Sequence, residues 1–328
     1  MTDPTSIRLS DHFLLSDLMG CHSCYTKGYA NVFDDKDGSK AEEGVCLAET
    51  VLEAVVALSP VSVSYGYISQ PLAHHIVSYQ DPKKKSYHQW NDGAACDIIV
   101  HNMDRGDTAP IYIARAIDSE FPVSRVITYS ESPFICVATR RHEVLADRPR
   151  RAFYENRYMG HSKTKPLYTT IPQDRDSWFA NHFLKHDWRG QGYPSYHGGG
   201  VRQTHHIRTS KYTMLSDFLY STEALTKGKK NCPTLTSDWV AKFRHVGKVY
   251  DYILDTLKVN RLSIVRAYES PVWNKTPRHL WGEDFEIDFI PPVNVDANDV
   301  ADTLLNKEGI IAVSVTPKER RVCICGVF

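Results

Sequence analysis

Apolar residues recur at spacings of three and four from Leu47 to Leu58 and again from Val246 to Leu257, and each run predicts an amphipathic helix. A short apolar stretch and a turn follow each run, Gly66-Tyr67-Ile68-Ser69-Gln70-Pro71 in one case and Ala267-Tyr268-Glu269-Ser270-Pro271 in the other. A histidine comes next in both, His88 or His279. Both segments close on a strand with a central cysteine, FICVA around Cys136 and RVCIC around Cys323. Upstream, HFLLSDL at 12–18 and YTMLSDF at 212–218 share Leu-Ser-Asp at an offset of 200. Five matches in one order predict an internal repeat, two copies of roughly 120 to 140 residues each in an α+β chain.

The chemistry is densest at Ser86 to Ile98, SYHQWNDGAACDI, where a histidine, a run of small residues and an aspartate lead into an apolar strand. His88 as a neutral imidazole and Asp97 as a hard carboxylate suit a borderline cation such as zinc, with a third ligand arriving from elsewhere in the chain. Gly93, Ala94 and Ala95 would let the backbone pass close to the ion. Taken alone, the same residues also read as a surface histidine and a capping aspartate.

Placed in the repeat, these residues resemble the zinc D-Ala-D-Ala carboxypeptidase family, in particular the peptidase domains of that kind common in bacteriophages, which share the hedgehog/DD-peptidase fold. The second copy carries the resemblance along its length: YTMLSDF, then Asn231-Cys232-Pro233, a long helix, AYESPVWN where the family has an SGYRSPALN type of turn, and KTPRHLWGEDFEI where it has a KTSQHxxGEAADI type of segment. The resemblance implies zinc ligands at His88 and Asp97 in the first copy. It sets His279 and Glu286 at the equivalent places in the second. The family's third ligand, a histidine in a WxHxx strand, falls on Cys136 and Cys323, so the cofactor expectation is none, or one zinc held by His88, Asp97 and Cys136 in the first copy. The family's acidic base falls on Pro133 and Arg320, leaving Glu131 as the nearest substitute, and its turn arginine is replaced by Ile68 and Glu269. Losses of this kind point to a second copy without catalysis and to a first copy that also lacks a positioned base, whether or not it holds a metal.

Formal net charge is zero over 328 residues, yet it is unevenly spread. From Arg148 to Tyr212 there are 12 Lys or Arg against 4 Asp or Glu, a net +8. Arg150, Arg151, Arg157, Lys163, Lys165, Lys185, Arg189, Arg202 and Arg208 alternate there with aromatics that include Trp178, Trp188 and Tyr193. Cations neutralise phosphates and aromatic faces stack on unpaired bases, which suits single-stranded DNA; an ordinary interdomain connector fits the same composition. His182 and His186 share a helix face, but no Glu follows His182 as an HExxH site requires. Cys21, His22 and Cys24 form a Cys-x-x-Cys turn without an evident second ligand pair, and eight cysteines suit free thiols in a reducing compartment. No apolar run of 18 residues and no signal-peptide pattern is present, so the expectation is a cytoplasmic protein, or one carried in a virion, with no membrane partner.

The sequence thus predicts an α+β tandem of DD-peptidase-like domains, each with helices on a small, mainly antiparallel sheet. The first copy spans 1–147, a basic aromatic connector 148–206, and the more degenerate second copy 207–328. A pseudo-twofold relation between the copies is expected by analogy with homodimers. Two functions remain open: a non-catalytic scaffold that binds single-stranded DNA and a protein partner such as a polymerase, or a zinc peptidase acting on peptidoglycan stem peptides through the first copy.

Overall fold

A computed structural model describes residues 3–76, 86–101, 121–129, 134–146, 153–156, 207–234, 237–271, 284–305 and 307–328, together with Ile113, Ala114, Ile117, Asp118, Glu120 and Thr204. The first half contains α1 (His22–Lys27), α2 (Ser39–Leu47), which continues through a π-helical turn (Ala48–Leu52) into α3 (Glu53–Leu58), β1 (Val61–Tyr65), α4 (Gln70–His75), β2 (Ala94–Val100), β3 (Arg125–Tyr129), β4 (Phe134–Thr139), α5 (Arg141–Leu145) and β5 (Phe153–Asn156). The second half contains α6 (Thr222–Lys227), α7 (Ser237–Leu257), β6 (Ser263–Arg266), β7 (Asp284–Ile290), α8 (Ala297–Leu304), β8 (Ile310–Thr316) and β9 (Arg321–Val327). The class is α+β. No helix among the described residues is long and apolar enough to cross a membrane.

The sheets run β1-β2-β4-β3-β5 and β6-β7-β9-β8, the same order apart from the extra β5. Pairing is antiparallel throughout except that β5 runs parallel to β3. Phe153–Asn156, within the span read as connector, pairs with the first sheet, where Val126 to Tyr129 supply its backbone partners. Both first strands carry an irregularity at the matching place, between Val63 and Tyr65 and between Ile264 and Arg266.

Local physics explains the helices. α7 lays Phe243, Val246, Val249, Tyr250, Ile253 and Leu254 in one buried stripe, and fully burying a side chain of this size contributes about 1.5 to 3 kcal/mol. α1 and α6 end on Gly28 and Gly228, both left-handed, as helix ends favour. On α2, Gly44 lets Trp90 approach so closely that an added Cβ would meet its ring at 2.3 Å.

Corresponding residues make corresponding bonds. The Asn31 amide donates to the Met19 and Tyr67 carbonyls and accepts the Ser69 N–H; Asn231 does the same with Leu219, Tyr268 and Ser270. Between the halves the bonds cross reciprocally. Asn31 N–H donates to the Leu225 carbonyl and Asn231 N–H to the Tyr25 carbonyl. Ser62 Oγ donates to Asp217 at 2.6 Å, and Ser263 Oγ to Asp17 at 2.7 Å. Contacts of i with j and j with i define a twofold exchange, here acting within one chain. One apolar core runs through both halves. The exchange is broken at Arg261, whose guanidinium pairs with Asp17 at 2.9 Å.

Candidate metal centre

His88 sits in a 3-10 turn (Tyr87–Gln89) capped by the Ser86 hydroxyl. Trp90, in the left-handed region at φ 54° and fully buried, anchors that turn against Phe33 and Tyr67. Gly93 at φ 110° then brings the chain onto β4, where an added Cβ would lie 2.6 Å from the Thr139 carbonyl. Its role is therefore strand approach rather than approach to an ion. Asp97 and Cys136 face each other across β2 and β4 as register partners.

The donor atoms of His88, Asp97 and Cys136 all lie within 4.8 Å of one another. His88 Nε2 is 3.7 Å from Asp97 Oδ1 and 4.0 Å from Cys136 Sγ. Donors held tetrahedrally at about 2.0 to 2.3 Å from zinc are roughly 3.3 to 3.7 Å apart, so the cluster needs a small side-chain adjustment and no backbone movement. The Gly66 carbonyl lies 2.9 Å from His88 Nδ1; with the proton there, Nε2 is turned toward Asp97 and Cys136 as a ligand, the outer-sphere arrangement typical of metal-binding imidazoles. Asp97 Oδ1 is buried and makes no hydrogen bond among the described residues, with His88 Nε2 facing it at 3.7 Å. Burial and the Asp97 charge push the Cys136 thiol well above the ordinary thiol range, so holding a metal there must expel a proton. Residues present and chemistry required fit. No family model, curated protein or solved structure matches this chain.

The second half replaces this arrangement. Asp288 is the register partner of Cys323, as Asp97 is of Cys136, so Asp288 rather than Glu286 stands in the place of Asp97. His88 to Asp97 and His279 to Asp288 are both nine residues, and Trp90 and Trp281 follow each histidine by two. His279 itself lies outside the described residues. Opposite Asp97 on β1 is Tyr65; opposite Asp288 on β6 is Arg266. Arg266 reaches Asp288 at 2.9 Å and Glu286 at 3.3 Å, and Arg321 approaches Asp288 at 3.6 Å. Asp288, 1% exposed, thus meets guanidinium groups where the first half gathers metal ligands. Glu286, Cys323 and Cys325 do bring donor atoms together, but beside that same arginine. Burial and the Asp288 charge push the Cys323 thiol strongly upward, holding it protonated.

Arg320, expected at the base position, donates to the Pro292, Val293 and Val295 carbonyls and closes a loop. Arg208 is half-buried and donates to the Lys211 carbonyl, part of the turn that opens the second half. Cys21 and Cys24 are buried thiols with no third metal ligand among the described residues. Glu131, Arg150, Arg151, Arg157, Lys163, Lys165, Trp178, Lys185, Trp188, Arg189, Tyr193 and Arg202 lie outside the described residues. Sequence reasoning missed Tyr65, Gly66, Arg266, Asp288 and Arg321. Of these only Asp288 had a linear signal, the nine-residue spacing from a histidine.

Proposed function

We propose that this chain is a tandem, DD-peptidase-like protein of the phage type that arose by duplication, holds one zinc through His88, Asp97 and Cys136, and serves as a scaffold rather than a hydrolase. The observation that carries the reading is the exchange of Tyr65 for Arg266 opposite the equivalent aspartates: one half leaves room for a cation and the other supplies its own. A zinc held by one neutral and two anionic ligands has no formal charge, so it polarises a carbonyl less than one held by two histidines and a carboxylate. His88 orients by its bond to Gly66, Asp97 supplies charge, and Cys136 must give up its proton; none of the three is placed to act as a general base. The partner we propose is single-stranded DNA held by the basic aromatic segment 148–206, together with a protein of a transcription or replication machine.

Metal analysis of the purified protein tests the first part: one zinc per chain, lost in His88→Ala, is expected, and two per chain or none overturns it. Titration with a single strand of about 20 nucleotides tests the second; affinity should fall with a log-log salt slope of about −0.7 per phosphate neutralised, and Trp188→Ala should weaken binding by about 1 to 3 kcal/mol with that slope unchanged. A peptidase acting through the first half is the second reading, favoured by the undonated Asp97 oxygen and the oriented His88. Turnover of peptidoglycan stem peptides that disappears in His88→Ala would establish it.

A further inference from the structure

The first turn of α1 carries two sulfur atoms that its counterpart does without. Cys21 is the N-cap, extended at φ −154° and ψ 156°, and its Sγ accepts the Cys24 N–H at 3.2 Å. In α6 the Ser221 hydroxyl oxygen accepts the Ala224 N–H at 3.4 Å in the same way. Capping therefore requires only an oxygen, the better acceptor, and the third helical position requires only a methyl group. Folding of this turn does not explain two thiols.

Their placement does suggest a chemistry. The Cys21 sulfur already lies 3.2 Å from the Cys24 backbone nitrogen, and movement of this short turn would let the two Cβ atoms close to the roughly 3.5 to 4.5 Å that a disulfide spans. The Cys24 N–H already points at the Cys21 sulfur, which places the two cysteine side chains on the same turn facing one another's backbone. Both side chains are 1% exposed. Burial pushes the Cys24 thiol well up. Burial also opposes ionisation of Cys21, but the hydrogen bonds from the Cys24 thiol and N–H, Tyr65 and Ser23 outweigh it and bring that thiol below its ordinary value. One sulfur is thus prepared to attack and the other to resolve.

We propose that Cys21 and Cys24 form a redox-active dithiol that closes reversibly to an intramolecular disulfide. With a low-molecular-weight disulfide as oxidant, the Cys21 thiolate attacks one sulfur and releases one small thiol. Cys24, losing its proton, then attacks the Cys21 sulfur of the mixed disulfide and releases the second. Two protein thiols are oxidised and one small disulfide is reduced to two thiols. Because both sulfurs are covered, exchange waits on opening of the six-residue α1, and it runs slower than at an exposed thiol.

The test uses the full chain equilibrated in glutathione buffers of increasing oxidised fraction, with retention of fold followed by circular dichroism, then acid quench, alkylation and peptide mapping. Alkylatable thiols should drop from eight to six, and the peptide holding Cys21 and Cys24 should lose the mass of two hydrogens and regain it on reduction. The double variant Cys21→Ser, Cys24→Ala, which copies Ser221 and Ala224, should stay folded and keep its six thiols at every ratio. Eight alkylated thiols throughout in the folded wild type, a stable mixed disulfide with glutathione at either residue, or a bridge to any other cysteine overturns the proposal. If the double variant fails to fold, the wild-type peptide map still decides.

Discussion

Asp17 and Asp217 occupy equivalent places in the two Leu-Ser-Asp turns, yet substitution of each by Asn should change stability in opposite directions. Asp217 accepts the Met214 N–H and the Ser62 hydroxyl, but among the described residues no guanidinium is paired with it as Arg261 is with Asp17. Burial, helped a little by the Asp17 charge, outweighs these bonds and the favourable Arg261 charge and raises it to about 6 from 3.8. The folded state therefore prefers the protonated form. The stability this gives is fully present below about pH 3.8 and is lost as pH rises through about 6; above that the charge costs about 2 units at 1.36 kcal/mol, or roughly 3 kcal/mol. The amide carbonyl that Asp217→Asn introduces can accept both hydrogen bonds, so this substitution should stabilise the protein by up to about 3 kcal/mol near pH 8 and by almost nothing near pH 4. Asp17→Asn breaks the Arg261 ion pair and leaves that buried guanidinium with the Val61 carbonyl and the Asp217 charge, so it should destabilise by roughly 1.5 to 3 kcal/mol at neutral pH. Urea unfolding of the three proteins across this pH range, followed by tryptophan fluorescence, reads the difference directly. An Asp217→Asn effect that is constant with pH, or destabilising near pH 8, would refute the reasoning.

Zinc affinity should fall more than about 100-fold in His88→Ala or Asp97→Asn, and in the wild type it should weaken as pH drops because the Cys136 proton competes; competition with a chromophoric chelator at two pH values measures both. Arg266→Met leaves Asp288 with only the more distant Arg321 among the described residues, and thermal unfolding should show a loss between the roughly 1 kcal/mol of an exposed pair and the roughly 3 to 5 kcal/mol of a buried one. Asn31→Ala and Asn231→Ala each remove three buried hydrogen bonds, so chemical denaturation should give similar losses of about 2 to 4 kcal/mol for the two; a difference much larger than the error would show that the matched networks are not energetically equivalent.

Period and spacing made much of this legible. The helix runs Leu47–Leu58 and Val246–Leu257, the two strands around Cys136 and Cys323, and the clustering of His88, Asp97 and Cys136 could all be read along the chain. The misplacement of Glu286 has a geometric cause: strand side chains repeat every two residues, so a slip of two, from Asp288 to Glu286, keeps the same face and the same charge. Only the constant distance from the histidine distinguishes them. Arg266 and Arg321 were hidden because they come from other strands, and nothing local marks a cation that will fold onto an aspartate. β5 was hidden in a basic, aromatic stretch whose composition suggests a nucleic-acid contact more strongly than an edge strand. The Leu-Ser-Asp repeats were visible as repeats, but their crossed bonding depends on how the halves meet.

That crossing binds the two halves to a shared fate. The Ser62 hydroxyl completes a turn 155 residues away, and Ser263 completes one 246 residues away. A substitution at either serine should therefore be tolerated most readily alongside a change in the opposite turn, so related chains would vary at these positions in pairs drawn from different halves. Cutting the chain within 157–203 and producing the pieces separately should leave each with stranded donors and a raw apolar face, while mixing them should restore one folded particle. Inheritance acts here on the pair, and neither half can drift alone.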